Sequence, residues 1–175
     1  AFATFAGRAE RVLAGADDPG ARRMADRLGR KVWRFGLGEA DIRITEVEQN
    51  ATGSKATIVL ADGRKVMLRL QVPGLHNVRN ATAALGVVAA LEAPLAPAVE
   101  ALAAYGGLGR RFERLGDVNG VSVVDDYAHH PTELVATLAA ARQAFPGRRL
   151  VAVFQPHLYS RTEQHGVAMG IALAA

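Results

Sequence analysis

The sequence predicts an α/β protein in two parts, and three observations carry that reading. Up to about Phe35 the chain alternates helical and strand patterns. From Asp41 the period becomes two, with Asp62 and Gly63 placed where a tight hairpin turn needs positive φ. Beyond the glycine-dense GGLGRRF, Gly106 to Phe112, strand and helix patterns alternate again as βαβα, the signature of a parallel sheet flanked by helices.

In order, the opening residues read as helix and VLAG after Arg11 as a short apolar strand. Asp17 and Asp18 before Pro19 are helix-start signals for ARRMADRL, and a cap beside proline is a plainer account of the paired acids than a metal site. KVWRF is a second strand. IRITEVEQ and then KATIVLADGRKVMLRLQV form an antiparallel hairpin or small meander. LHNVRNATAALGVVAALEA, Leu75 to Ala93, is a helix whose alanines and glycine predict close packing, and APAVEALAAY is a shorter helix after Pro94 and Pro97. After the glycines, LGDVNGVSVVDDY reads as a hairpin-like turn into a strand and PTELVATLAAARQAF as a helix. RRLVAVFQP reads as a buried parallel strand and SRTEQHGVAMGIALAA as a final helix. Ala1 falls inside a helical pattern and MGIALAA stops within one, which reads as a piece of a longer chain.

Composition narrows the function. Half the residues are hydrophobic, enough for a packed core. There is no cysteine, so disulfides and thiolate chemistry are excluded, and a cytoplasmic place is expected. The apolar run from Ala83 to Leu91 is broken by Glu92, Pro94 and Pro97, short of the roughly 18 residues a membrane span needs. The net charge of +4 comes mainly from arginine, which suits phosphate-bearing small molecules. The basic residues are scattered among acids without a stacking motif, so neither nucleic acid nor membrane is expected as a partner.

The strongest chemical signal is DDYAHHP, Asp125 to Pro131, where VSVV delivers two acids, a tyrosine and two histidines to one point. Ligands bind beyond the carboxyl ends of strands in open α/β sheets. A capped helix start is the plain alternative, with His130 as cap, Pro131 at the first helical position and Glu133 balancing the dipole, but it leaves Asp125, Asp126 and Tyr127 unexplained. FQPHLYSRT, Phe154 to Thr162, repeats the arrangement with Gln155, His157, Tyr159 and Arg161, so Tyr127, His129, His130, His157 and Arg161 are expected to converge. The histidine spacings match no helical zinc motif. In HNVRN, Asn77 and Asn80 lie three apart beside His76; their amides suit a purine edge or, equally, an ordinary helix cap. Gly106, Gly107 and Gly109 before Arg110 and Arg111 fit an anion-binding loop or a hinge, and the two are compatible. No GxxxxGK[ST] element occurs in the sequence.

PGLHNVRNATAAL, GLGRRFE, DDYAHHPTE and FQPHLYSRT, in that order and together with DDPGARRMA, resemble the Mur ligases of peptidoglycan synthesis. The pairing of DDYAHHP with FQPHLYSR resembles the branch that adds L-alanine to UDP-N-acetylmuramate. The resemblance implies that residues 1–108 are the later portion of the central ATP-binding domain, a mixed sheet with helices. Residues 109–175 would then be the first portion of a Rossmann-like, parallel-sheet C-terminal domain. It implies an enzyme that uses ATP with Mg2+ to activate a carboxylate as an acyl phosphate, which L-alanine then attacks.

By the same resemblance, Asn77 and Asn80 would lie at the adenine of ATP, Arg111 would reach the nucleotide from the link, and Asp126 would hold the ribose hydroxyls. Tyr127, His129 and Arg161 would gather round L-alanine, with His157 and His130 as further substrate-side candidates. No catalytic or metal-ligating residue is assigned within this chain, whose Mg2+ ligands would lie outside it, as would the phosphate loop, so the piece alone is expected to be inactive. Leu158 stands where some relatives carry arginine. Two alternatives remain, a relative that recycles tripeptide onto UDP-N-acetylmuramate and a non-catalytic nucleotide-binding module.

Overall fold

A computed structural model describes residues 2–28, 32–50 and 52–174. The first unit is a five-stranded mixed sheet ordered β1 (Leu13–Gly15), β2 (Trp33–Gly36), β3 (Ile42–Asn50), β4 (Gly53–Val59) and β5 (Lys65–Leu70). Helix α1 (Phe2–Arg8) precedes it, and α2 (Pro19–Arg27) makes the crossover between the parallel β1 and β2. Lys31, at the head of the expected KVWRF strand, lies outside the described residues. Of the two leading acids, Asp18 is the cap, its Oδ1 accepting the Ala21 N–H at 2.6 Å. Asp17 instead accepts the Leu37 N–H and pairs with Arg79 at 2.8 Å. One acid starts the helix and the other ties the β1 and β2 loops to the helix above.

The hairpin falls where the turn residues put it. β4 and β5 pair antiparallel from Ser54↔Leu70 to Val59↔Lys65, and Gly63 takes φ +85. Helix α3 (Leu75–Ala90) lies over the sheet, with Val78, Ala81 and Leu85 buried against Ile42, Ile58 and Leu68, while α4 (Leu95–Ala104) flanks β5. The small residues of α3 permit this closeness: a methyl group at Gly86 would collide with Leu13 and stand 2.9 Å from Ile42 Cδ1. Dispersion and apolar burial rise together as the helix approaches the sheet.

The second unit opens with the hairpin β6 (Glu113–Val118) and β7 (Val121–Asp125), joined by Asn119 and Gly120 at φ +49 and +78. Two successive positive φ values define the turn that matches strand twist. Helix α5 (Pro131–Ala144) covers the hairpin through Ala140, Ala141 and Ala144 against Phe112. Helix α6 (Tyr159–Ala174) packs on α5 through Met169, Ala172 and Leu134.

One element departs from expectation. RRLVAVFQP pairs with no strand: Val151 and Val153 are 68% and 96% exposed, and only Phe154 of the apolar run is half-buried. A parallel strand needs both faces covered and an in-register partner. Here a cavity of about 540 Å³, lined by Val124, Leu138, Ala141, Phe145, Leu150 and Phe154, separates the segment from β7. Among the described residues the second unit therefore has one antiparallel pair and no parallel ladder.

Candidate functional site

The two units meet at the glycine link. Gly107 takes φ +101, and Arg110 and Phe112 also sit in the left-handed region at φ 59 and 51, unusual for residues with side chains. The last two are held, Arg110 by Tyr127 and Phe112 by Asp126. Its Oδ2 accepts the Phe112 N–H at 2.7 Å, its Oδ1 accepts the Ala128 N–H at 2.8 Å, and the next residue, Tyr127, donates its N–H to the Arg110 carbonyl at 2.8 Å. The link is thus clamped to the end of β7. Beside it a cavity of about 510 Å³ is lined by Val72, Pro73, Gly107, Arg111, Phe112 and Phe145.

Beyond the clamp an aromatic cluster forms. The Tyr127 ring lies 4.8 Å from that of His129 and 6.2 Å from that of His157, with the Arg110 guanidinium 4.6 Å over its face. Cation and ring attract through the ring quadrupole. His157 reaches Tyr127 although the strand leading to it is unpaired, because α6 is anchored on α5 independently.

His130 does what the plainer reading proposed. Its Nδ1 accepts the Thr132 N–H at 3.3 Å as the α5 cap, Pro131 follows, and Glu133 Oε2 accepts the His130 N–H at 3.2 Å. Its ring meets His165 on α6, 4.9 Å away, rather than the Tyr127 cluster. Arg161 stands half-buried in the first turn of α6, four residues after His157. Leu158 takes φ 70 as the chain enters α6.

At the start of α3 neither asparagine caps the helix. The cap position is Gly74 at φ +99, with no side-chain bond; the Asn77 amide donates to the Pro73 carbonyl at 2.7 Å and Asn80 is exposed. A methyl group at Gly74 would stand 3.3 Å from the Ala140 Cβ, so this end of α3 lies directly against α5. His76 faces the junction. Burial lowers its pKa from the ordinary histidine value, the charges of Arg111 and Arg79 act in the same direction, and Asp126 opposes them. Residues from α3, the link and the end of β7 therefore share one electrostatic environment.

Arg110, expected in an anion-binding loop or hinge, lies over the Tyr127 ring, and Glu133, expected to balance the helix dipole, has further partners. Burial pushes the Glu133 carboxyl up, but the N–H of His129, the charges of His129 and Arg111 and the N–H of His130 outweigh it, and the net shift is downward. The capping-box spacing, an acid three residues after the cap, was the available signal. Among the described residues no group of three histidine or acidic side chains is placed to hold a metal ion. No helix of the described residues is long and apolar enough to cross a membrane.

Two units are joined by a clamped glycine link, with the polar cluster at the end of β7 on one side and an asparagine-bearing helix on the other. Residues 2–88 match the family described as "Mur ligase middle domain" and residues 110–174 the one described as "Mur ligase, glutamate ligase domain". The chain belongs to the Mur ligase family. It is 48% identical over 169 residues to the UDP-N-acetylmuramate–L-alanine ligase of Nitratidesulfovibrio vulgaris, covering 93% of this chain and 37% of that protein. It is 45% identical over 179 residues to the enzyme of the same name from Streptomyces coelicolor, covering 99% and 38%. The crystal structure of UDP-N-acetylmuramate-alanine ligase MurC from Thermotoga maritima matches with a TM-score of 0.73 at 28% identity, covering 94% of this chain and 41% of that one. A murein peptide ligase from Psychrobacter arcticus matches with a TM-score of 0.60 at 27% identity, covering 85% and 32%. The chain thus spans well under half the length of these relatives.

Proposed function

We propose that this chain is part of a cytoplasmic ATP-dependent ligase that joins L-alanine to UDP-N-acetylmuramate. Residues 1–108 belong to its central domain and residues 109–175 to its C-terminal domain. The observation that carries this reading is the junction itself, where Asp126 clamps the link at Phe112 and Arg111 approaches Glu133 to 3.9 Å beside the Tyr127–His129–His157 cluster. The identity of 48% to a ligase of that name supports the choice of substrate.

The reaction needs activation first, because a carboxylate is a poor electrophile until one oxygen becomes a leaving group. Its oxygen attacks the γ-phosphorus of ATP, ADP departs, and the acyl phosphate forms. The amino nitrogen of L-alanine, after its ammonium gives up one proton to solvent, attacks the acyl carbon, phosphate leaves with the C–O bonding pair, and the new amide nitrogen loses a second proton. Catalysis of such transfers rests on positioning and charge neutralisation. On this reading Asn77 and Asn80 serve the adenine, Arg111 the nucleotide and Asp126 the ribose hydroxyls. Tyr127, His129 and Arg161 receive L-alanine, the arginine fork suiting its carboxylate. His157 flanks Tyr127 in support, whereas the capping bond of His130 favours a structural part.

The test is ligation by the full-length protein containing this chain, supplied with ATP, UDP-N-acetylmuramate and either L-alanine or a muropeptide tripeptide. ADP release and the L-alanyl product by mass spectrometry are expected. Preference for the tripeptide would move the assignment to the recycling relative, and nucleotide binding without ligation would reduce the chain to a binding module.

A further inference from the structure

Arg110 is fixed at its backbone and again at its side chain. Its N–H donates to Glu113 Oε2 at 2.7 Å and its carbonyl accepts the Tyr127 N–H at 2.8 Å, which together hold it at φ 59. That conformation favours glycine or asparagine, so the turn gives no reason for an arginine. The side chain gives one. Its guanidinium lies 4.6 Å over the Tyr127 ring, and its Nε stands 3.6 Å from Asp125 Oδ2.

The Tyr127 ring has two further neighbours. The imidazoles of His129 and His157 lie 4.8 and 6.2 Å from it at interplanar angles of 54° and 58°, tilted against the ring rather than stacked on it. A tyrosine side chain turns about two bonds, and a ring that must be ordered on binding costs affinity that a ring already ordered does not. A cation over the ring face supplies that order through the ring quadrupole, and the carboxylate of Asp125 keeps the cation in place. Clamping the link needs only the Arg110 carbonyl, which any residue offers. Ordering the ring needs the guanidinium.

We propose that Arg110 is a positioning residue for the amino-acid substrate: its guanidinium holds the Tyr127 ring in the orientation that meets L-alanine, and it does so from the link, so that the link and the amino-acid site are ordered together. The proposal rests on the ligase reading above and deepens it. Arg110 itself touches no substrate, and the substrate carboxylate falls to Arg161.

The test is a double-mutant cycle in the full-length ligase, with Arg110→Gln, Tyr127→Leu and the two combined, read by the KM for L-alanine and for ATP. Glutamine leaves both backbone bonds of residue 110 in place. Arg110→Gln is expected to raise the L-alanine KM about fivefold, as loss of a partly exposed cation–ring contact implies, and the ATP KM by less than about twofold. Beside Tyr127→Leu the same substitution is expected to change the L-alanine KM by less than about twofold, because no ring remains to be held. Beside Tyr127→Phe, which keeps a ring, most of the effect is expected to remain. The Tyr127 ring resonances in tyrosine-labelled protein, identified by their loss in Tyr127→Phe, are expected to shift in Arg110→Gln. An unchanged L-alanine KM, an equal rise in every KM, or unshifted ring resonances would each overturn the proposal. A loss undiminished beside Tyr127→Leu would make Arg110 a direct ligand and overturn it as well. A wild type that forms no L-alanyl product would instead overturn the ligase reading, and the resonances would still decide whether Arg110 orders the ring.

Discussion

The Asp126 carboxylate accepts the Phe112 N–H at 2.7 Å across fourteen residues of sequence, fastening the end of β7 to the link between the two units. Phe112 is buried and held at φ 51, so that bond maintains a backbone conformation that an L-residue seldom adopts. One side chain thereby serves both the fold and the proposed nucleotide site.

Asp126→Ala should therefore act twice. Urea denaturation of the chain should show a loss of about 1–3 kcal/mol, the cost of leaving a buried donor unpaired. In the full-length protein the affinity for ATP, measured by calorimetry, should fall by about tenfold or more for the same reason. An unchanged unfolding midpoint would contradict the clamp, and an unchanged ATP affinity would remove Asp126 from the nucleotide site.

Arg161→Ala in the full-length protein should raise the L-alanine concentration needed for half-maximal rate far more than the ATP concentration, by about tenfold or more for the loss of a charge-assisted contact. Initial rates with each substrate varied in turn measure this. Equal impairment toward both substrates would count against a carboxylate-binding part.

Stability should decline with acid in two separate windows. The folded state disfavours protonation of His76, so the unfolded chain binds the extra proton as pH falls below about 6.5, and stability drops toward the lower folded value. Glu133 has the depressed carboxylate pattern: its contribution is complete above the ordinary value of 4.5 and is lost as pH falls through its lower folded value. Denaturation midpoints across pH should slope in both windows, and His76→Gln should flatten the upper one while leaving the lower. A variant with the wild-type slope in both would refute the assignment to His76.

Two glycine substitutions should differ in sign. At Gly53 a Cβ would collide with the Leu70 carbonyl oxygen in the paired strand, and neither backbone can yield without breaking the ladder, so Gly53→Ala should cost about 1–3 kcal/mol or more. At Gly170, on the exposed face of α6, nothing lies within 4 Å, and Gly170→Ala should stabilise by up to about 1 kcal/mol through helix propensity. Thermal melts of the two variants against the parent check both.

Local chemistry was legible wherever neighbours in sequence decide it. The Asp62–Gly63 turn, the Asp18 cap before Pro19, the small-residue helix α3 and the Asn119–Gly120 hairpin each need only a few adjacent residues, and each appears where its pattern stands. Asn77 shows the limit: its side chain matches a cap, yet Gly74 starts the helix and the amide turns back to Pro73. Which of several local partners an amide takes depends on the path of the preceding backbone.

The order and character of the helices and hairpins, and the motifs that place the chain among the Mur ligases, were already contained in the amino-acid sequence, because turn residues and apolar periodicity act over short range. Only the tertiary structure decided that LVAVF lacks a ladder, that His130 turns from the Tyr127 cluster toward His165, and that Glu133 joins Arg111 to His129. Those outcomes depend on which surfaces come within a few ångströms once α3, α5 and α6 have packed. Distances between groups remote in sequence are set by that packing, and no short-range pattern encodes them.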